Sequence, residues 1–228
     1  MLDTRRHDSL FDSTLFADNV HIIGVGGVGS HVARLLAKLG VGAASDVYFH
    51  DGDYVVNHNT PNQTYDPSDV GSSKVWALSR QYRKWSGGVK PQTRPRFVKG
   101  KTPLSGIVFL CLDSMNERQR VCERTIWHNK GIKLLIETRT NVAHAMVYCL
   151  DPNNQRHIEC WNAYWYPNDQ ADNDIGCSGP QSIITSVDAT AIFAVQSFVD
   201  YVGKRSPEGL INRFWINLNT RTTESEIW

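Results

Sequence analysis

The feature that most constrains this chain is Gly24-Val25-Gly26-Gly27-Val28-Gly29, set between two segments of different period. Before it stands Val20-His21-Ile22-Ile23, short, apolar and rich in β-branched residues. After it, from Ser30 to Leu39, the apolar residues Val32, Leu35, Leu36 and Leu39 recur at helical spacing, with Val28 one turn earlier. A strand that turns through glycines into a helix opens a βαβ unit. Missing side chains let a phosphate approach the backbone, and the helix N-terminus adds free N–H groups and partial positive charge. A glycine turn that merely packs tightly is the bland alternative, and the strand–helix context argues against it. Gly40 and Gly42 end the helix. Val47-Tyr48-Phe49 reads as the next strand, running into Asp51, which stands 22 residues beyond Gly29. That is the place of an acid that accepts hydrogen bonds from ribose hydroxyls. Together the two elements imply a nucleotide without choosing between NAD and ATP.

The strand–helix alternation continues. Residues 54–72 are polar and form a long loop, which inside a compact domain implies a task. A helix is predicted over Ser73–Trp85, a short strand at Arg96–Lys99, and a buried strand over Ile107–Leu112 ending at Asp113. Another helix runs to about Asn129, and strands follow at Ile132–Ile136 and Asn141–Leu150. This order predicts an α/β fold: a Rossmann-like, doubly wound, mostly parallel sheet with its ligand crevice at the strand C-termini. The last third reads as a polar, irregular crossover loop (151–182), a long helix over Ile183–Val202, and late antiparallel strands with Phe214–Leu218 at an edge. We expect one domain: an N-terminal arm (1–17), a nucleotide-binding core (18–150), the crossover, and a C-terminal helix and strand (183–228).

At 228 residues the chain is long enough for one core without disulfides or structural metal. Its net charge of +1 argues against broad phosphate neutralisation on duplex nucleic acid. The basic run Arg80, Arg83, Lys84, Lys90, Arg94, Arg96, Lys99 and Lys101 reads first as a solvated surface. Five widely spaced cysteines, with no CxxC, fit a reducing compartment and give no zinc ribbon. No signal sequence and no apolar run of membrane-spanning length is evident, so a cytoplasmic protein is expected.

Asp51-Gly-Asp53-Tyr-Val55, then Asn59-Thr-Pro-Asn62-Gln63, then Asp69-Val-Gly71-Ser-Ser-Lys74, and after the next apolar strand Asp113-Ser-Met-Asn-Glu-Arg118, follow one another along the chain. In this the sequence resembles the ThiF, MoeB and HesA family, relatives of the ubiquitin-activating enzymes. There the pattern runs D-x-D-x-V, N-L-x-R-Q, D-x-G-x-x-K and D-N-x-x-x-R. The resemblance covers roughly residues 18–150. It implies an ATP-dependent adenylyltransferase that activates the C-terminal carboxylate of a ubiquitin-like, β-grasp carrier protein, often as a homodimer. It also implies a site: Gly24, Gly26, Gly27, Gly29, Asp51, Asp53, Asn59, Asn62, Gln63, Lys74, Asp113 and Arg118 around the nucleotide, with Asp113 holding Mg²⁺.

Those residue types suit the chemistry. Attack on the α-phosphorus of ATP requires the triphosphate charge to be balanced. Lys74 is the natural phosphate partner, and a carboxylate with phosphate oxygens and water suits Mg²⁺. Each has a duller alternative: Lys74 as a helix-face lysine, Asp113 as a helix cap, Arg118 as an ion-pairing helix residue. The chain also departs from the family pattern. Asn62 replaces the arginine of N-L-x-R-Q, which removes a charge and a bidentate contact. The resemblance makes Arg5 and Arg6 candidates for an arginine lent to a dimer mate. Cys160 lacks the second member of the zinc-binding pairs of many relatives, so no zinc is expected. Cys177, in the crossover, is either a candidate acceptor thiol for a thioester or a bystander thiol, while Cys111, Cys122 and Cys149 read as packing residues. His21, His50 and His58 read as strand or loop histidines, and Trp161, Tyr164, Trp165 and Tyr166 as either a secondary core beneath the crossover or a platform for an extended partner tail, the core being the first reading. Two rivals stand beside this reading: a non-catalytic nucleotide-binding scaffold, which the lost arginine favours, and an NAD-dependent oxidoreductase.

Overall fold

The computed structural model describes residues 2–168, 183–204 and 210–228. Within them run β1 (Val20–Ile23), α1 (Gly27–Lys38), β2 (Val47–His50), α2 (Lys74–Trp85), β3 (Gln92–Arg94), β4 (Gly106–Leu110) and α3 (Met115–Val121). After a π-helical turn at Cys122–Ile126 come β5 (Ile132–Thr140), β6 (His144–Leu150), α4 (Gln155–Ala163), α5 (Ile184–Gly203), β7 (Arg213–Asn217) and β8 (Thr222–Glu226). The strands form one sheet in the order β3-β2-β1-β4-β5-β6-β7-β8. From β3 to β5 all neighbours are parallel; β5 to β8 are antiparallel. The chain's order reverses between β1 and β4, and a crevice opens at the carboxyl ends of strands at such a switch point.

Alternation along the strands feeds two cores. Ile22, Phe49, Ile107, Phe109, Leu134 and Ile136 face α1, α2 and α5. Val108, Leu110, Leu135, Tyr148 and Leu150 face Val121, Ile126 and Trp161 on the other side. Helices on both faces leave the central strands no solvent side, hence the unbroken burial of β1 and β4. The predicted stripe of the long helix is its buried seam, through Val187, Ala191, Val195 and Phe198.

Three expectations are corrected. The third strand is Gln92–Arg94, not Arg96–Lys99: it pairs with β2 through a polar, half-exposed backbone that hydrophobic patterning does not reveal. The strand at Phe214–Leu218 is not an edge, because β8 pairs outside it. The polar segment after residue 150 is not wholly irregular. Asn154 accepts a hydrogen bond from the Arg156 amide and starts α4, which inserts a fully buried Trp161. The N-terminal arm also joins the core. Phe11 and Phe16 are buried against Phe198, with ring centroids 5.4 and 5.2 Å away.

Beneath the loop joining β3 to β4, His21 Nδ1 lies 3.0 Å from His50 Nε2. The Ser105 amide donates to His21 Nε2, so Nδ1 carries the proton and both rings are neutral. Burial lowers His21 to about 4 and His50 to about 3, with Arg94 adding to each. Both folded values lie below the unfolded one, so this contribution to stability is intact above about pH 6.5 and is lost as pH falls toward 4. We expect urea midpoints to drop between pH 7 and 4.5, by a free energy on the order of a few kcal/mol. Replacing both histidines by glutamine should flatten the curve; a wild-type midpoint unchanged over that window would refute the account.

Candidate functional site

The glycine turn leaves β1 at the switch point. Gly24 has φ +81°, and a Cβ there would stand 2.7 Å from the Cys111 carbonyl oxygen, on the loop that follows β4. At Gly29 a Cβ would fall 1.9 Å from the Gly24 oxygen, so no side chain fits. Gly26 and Gly27 are different: their nearest neighbours would be 3.8 Å (Gln63 Nε2) and 3.7 Å (Asn62 O and Val187) away. Two glycines close the turn on itself, and two leave it room on its outer side.

Asp51 locks this turn. Its Oδ2 accepts the Val25 amide at 2.9 Å and its Oδ1 the Asp53 amide at 2.8 Å. Burial raises its pKa, and those two amides pull it back down. The structure therefore places Asp51 as the brace between the glycine turn and the loop after β2. Asp53 carries the line onward: its Oδ2 is 3.0 Å from Lys74 Nζ, and its carbonyl accepts the Lys74 amide. Lys74 is 8% exposed at the first turn of α2, so it is no ordinary helix-face lysine. Tyr65, which the sequence reading passed over, closes the back of the turn with its hydroxyl 2.6 Å from the Val25 carbonyl oxygen. Burial and three nearby carboxylates raise its pKa, which keeps it a donor.

The loop of residues 57–66 lies over α1. The Thr64 amide donates to Ser30 Oγ at 3.2 Å, and Asn62 presents its carbonyl to Gly27. Gln63 Oε1 is buried without a hydrogen-bond partner among the described residues, with Gln63 Nε2 beside Gly26. Asn59 turns its Oδ1 back onto the Val56 amide and so shapes its own turn. His31, one helical turn beyond Gly27, meets Asp188 of α5 at 2.6 Å, and Arg34 meets the same carboxylate at 2.9 Å. Burial lowers the His31 pKa against the opposing pull of Asp188.

Asp113 stands exposed across the switch point, in the loop after β4. It is not the helix cap: Ser114 takes that place and accepts the Glu117 amide. Asn168 and Trp165, from the start of the crossover, bond to Met115 and brace this loop. Arg118 does not face the crevice. It is 2% exposed, ion-paired to Glu137, and donates to the Leu112 carbonyl, so it fixes the backbone just before Asp113. Its expected place among the nucleotide contacts is therefore replaced by a positioning one. Glu137, itself fully buried, also receives Arg139 and Trp161 Nε1. Cys177 lies outside the described residues. Burial pushes the Cys111 thiol up to about 11 and Cys149 up to about 12, which suits packing rather than nucleophilic residues. Arg5 is paired with Asp3 at 2.7 Å. Among the described residues no three His, Cys, Asp or Glu side chains cluster as metal ligands, and no helix is long and apolar enough to cross a membrane.

The structure thus joins Gly24–Gly29, Asp51, Asp53, Gln63 and Lys74 on one side of the switch point, with Asp113 on the other. The model of the ThiF family matches residues 7–227. The chain belongs to the ThiF family. No protein of curated function matches its sequence. Among solved structures it is similar to PaaA, at 19% identity with a TM-score of 0.71, and to E. coli MccB, at 20% with 0.72. A structure of E. coli MccB with ATP gives 20% and 0.69. The match covers 96% of this chain in each case and 64–66% of theirs, so the ThiF-family chain spans slightly less than two thirds of their length. At that identity the likeness shows the fold: one mixed sheet, parallel through its first strands and antiparallel at its end.

Proposed function

We propose that this ThiF-family chain binds Mg-ATP at the glycine turn and adenylates the C-terminal carboxylate of a small ubiquitin-like, β-grasp carrier protein. The observation that carries the reading is the unbroken line from the turn through Asp51 and Asp53 to a buried Lys74, with Asp113 exposed in the loop that leaves β4 at the same switch point. A nucleotide fits these residues: a Cβ at Gly26 would meet only Gln63, whose Nε2 can donate to a phosphate oxygen and whose buried Oε1, without a partner among the described residues, can accept from a ribose hydroxyl. That E. coli MccB has been solved with ATP, and in another structure with MccA, supports a nucleotide and a second substrate on this fold.

In this reading Lys74 balances charge on the triphosphate, and the turn's backbone N–H groups approach the phosphates. Asp113 would hold Mg²⁺, which neutralises phosphate charge when bound. Asp53 orients Lys74, and Arg118, through Leu112, fixes the backbone beside Asp113. The substrate carboxylate attacks the α-phosphorus and pyrophosphate leaves. No general base is required, since a carboxylate with a pKa of about 4 is ionised at neutral pH. A later attack by the Cys177 thiolate on the acyl-adenylate would form a thioester and release AMP. A homodimer, with Arg5 or Arg6 reaching a partner's site, is part of the same proposal.

The test is ATP–pyrophosphate exchange with peptides that end in glycine and model a carrier tail. Exchange that depends on such a tail is expected. Tight ATP binding with no exchange for any tail would reduce the function to nucleotide binding.

A further inference from the structure

All 23 carboxylate side chains of the protein lie outside the stretch between Asp69 and Asp113, while nine of its 24 Lys and Arg residues lie within it. The near-neutral total therefore hides a strongly segregated surface. Lys74 and Arg80 pair with Asp53 and Asp69. Arg83, Lys84, Lys90, Arg96, Lys99 and Lys101 are exposed and pair with no carboxylate among the described residues. Arg94 lies over the Tyr48 ring, 5.5 Å from its centroid.

The fold brings Arg80, Arg83, Lys84, Lys90 and Arg94 together as a basic stripe on α2, β3 and the turn between them, while Lys99 and Lys101 lie beyond β3 on the loop that passes Arg124. β3 is the outer strand of the sheet, and α2 packs beside it. Between them runs an open groove of about 320 Å³, lined by Trp76, Arg80, Arg83, Lys90 and Thr93 among others. Trp76 is 53% exposed, an expensive placement for an indole with no hydrogen-bond partner among the described residues. The stripe starts at the nucleotide site. Lys74 is the first residue of α2, and the Phe97 ring lies against Gly52, between Asp51 and Asp53.

We propose that this stripe is the docking face for the polypeptide whose carboxylate is activated, and that this partner presents an acidic surface to it. The inference rests on the adenylation reading, because it takes the partner to be that reaction's substrate. Charge complementarity names the chemistry. The helix that carries one side of the groove, α2, is about 18 Å long, and the field of its charges reaches only about 8 Å in physiological salt. That suits a compact acidic partner seated on it. A long polyanion would run off the groove onto a surface that holds the protein's exposed carboxylates. A partner docked here also brings its chain end to the crevice mouth, which a face remote from Lys74 would not do.

The test uses the full chain and a fluorescein-labelled decaglutamate peptide at low and physiological salt, with an oligothymidylate of matched charge as the second probe. Wild type should bind decaglutamate more tightly than the oligonucleotide, and salt should weaken it. Arg83→Glu with Lys90→Glu should weaken decaglutamate by about tenfold or more. Both side chains are exposed, so melting and binding of a fluorescent ATP analogue should stay as in wild type. Lys84→Glu, at another exposed cation of α2, tests the same face independently. Equal peptide binding by wild type and both variants, or none by wild type, overturns the proposal. Tighter oligonucleotide binding overturns it in favour of single-stranded nucleic acid. Peptide binding that responds to the variants in a protein that binds no ATP would sink adenylation and leave the acidic-partner face standing.

Discussion

Glu137→Ala is expected to destabilise the protein by about 3–5 kcal/mol, the usual cost of stripping one partner from a buried ion pair. Glu137 is fully buried on β5 and is the counter-charge for two guanidinium groups, those of Arg118 and Arg139, 2% and 1% exposed. Trp161 Nε1 donates to it at 3.2 Å, and Arg139 reaches on to the Tyr164 carbonyl at 2.7 Å. Removing the carboxylate leaves two cations in a region that water does not reach, and neither can shed its proton. A domain with about 5–15 kcal/mol of total stability loses a large share of it. Glu137→Gln should also destabilise, because it keeps an acceptor but cancels no charge. The readout is the denaturant midpoint. A loss below about 1 kcal/mol for Glu137→Ala would show that the network is not held as described. The same variant frees Arg118 from its anchor, so the Asp113 loop should exchange its amides faster.

That network marks the boundary of what the sequence made legible. The glycine turn, the strand before it and the helix after it were readable because their signals are local: β-branched residues, then glycines, then a stripe at helical spacing. The central strands were readable for the same reason. Glu137 and Arg139 were not, since an acid and an arginine on alternate residues of a strand look like a solvated face until α4 covers them. α4 itself was hidden because it buries only Ile158 and Trp161 amid polar neighbours. β3 was misplaced because a three-residue edge strand of Gln, Thr and Arg carries no apolar pattern. At the site, motif spacing placed Lys74 and Asp53 correctly near one another. It could not say that Arg118 points inward, since the helix periodicity that would show this spans only two turns. Tyr65 could have been noticed as a large aromatic in an otherwise polar loop, which implies burial.

Lys74→Ala should lower tail-dependent ATP–pyrophosphate exchange by about a hundredfold to a thousandfold, the range seen when one preorganised charge-stabilising group is removed. Lys74 contributes through position as well as charge. Its backbone amide is tied to the Asp53 carbonyl and its Nζ to the Asp53 carboxylate, so the ammonium is aimed before any nucleotide arrives. Asp53 is itself 54% exposed at its side chain, so it is rehydrated when Lys74 is lost and the fold should hardly notice. The variant should therefore melt within a few degrees of wild type while exchange collapses, separating a chemical role from a structural one. Lys74→Arg restores the charge on a planar, bulkier head and should recover only part of the rate. Asp53→Asn should loosen Lys74 without removing it, raising the KM for ATP more than it lowers kcat. If Lys74→Ala leaves exchange untouched, the triphosphate is not held where the glycine turn and Asp53 would put it. If wild type binds ATP without exchange and Lys74→Ala keeps biological function, the chain is a nucleotide-binding scaffold, the role that Asn62, in place of the family arginine, already makes conceivable.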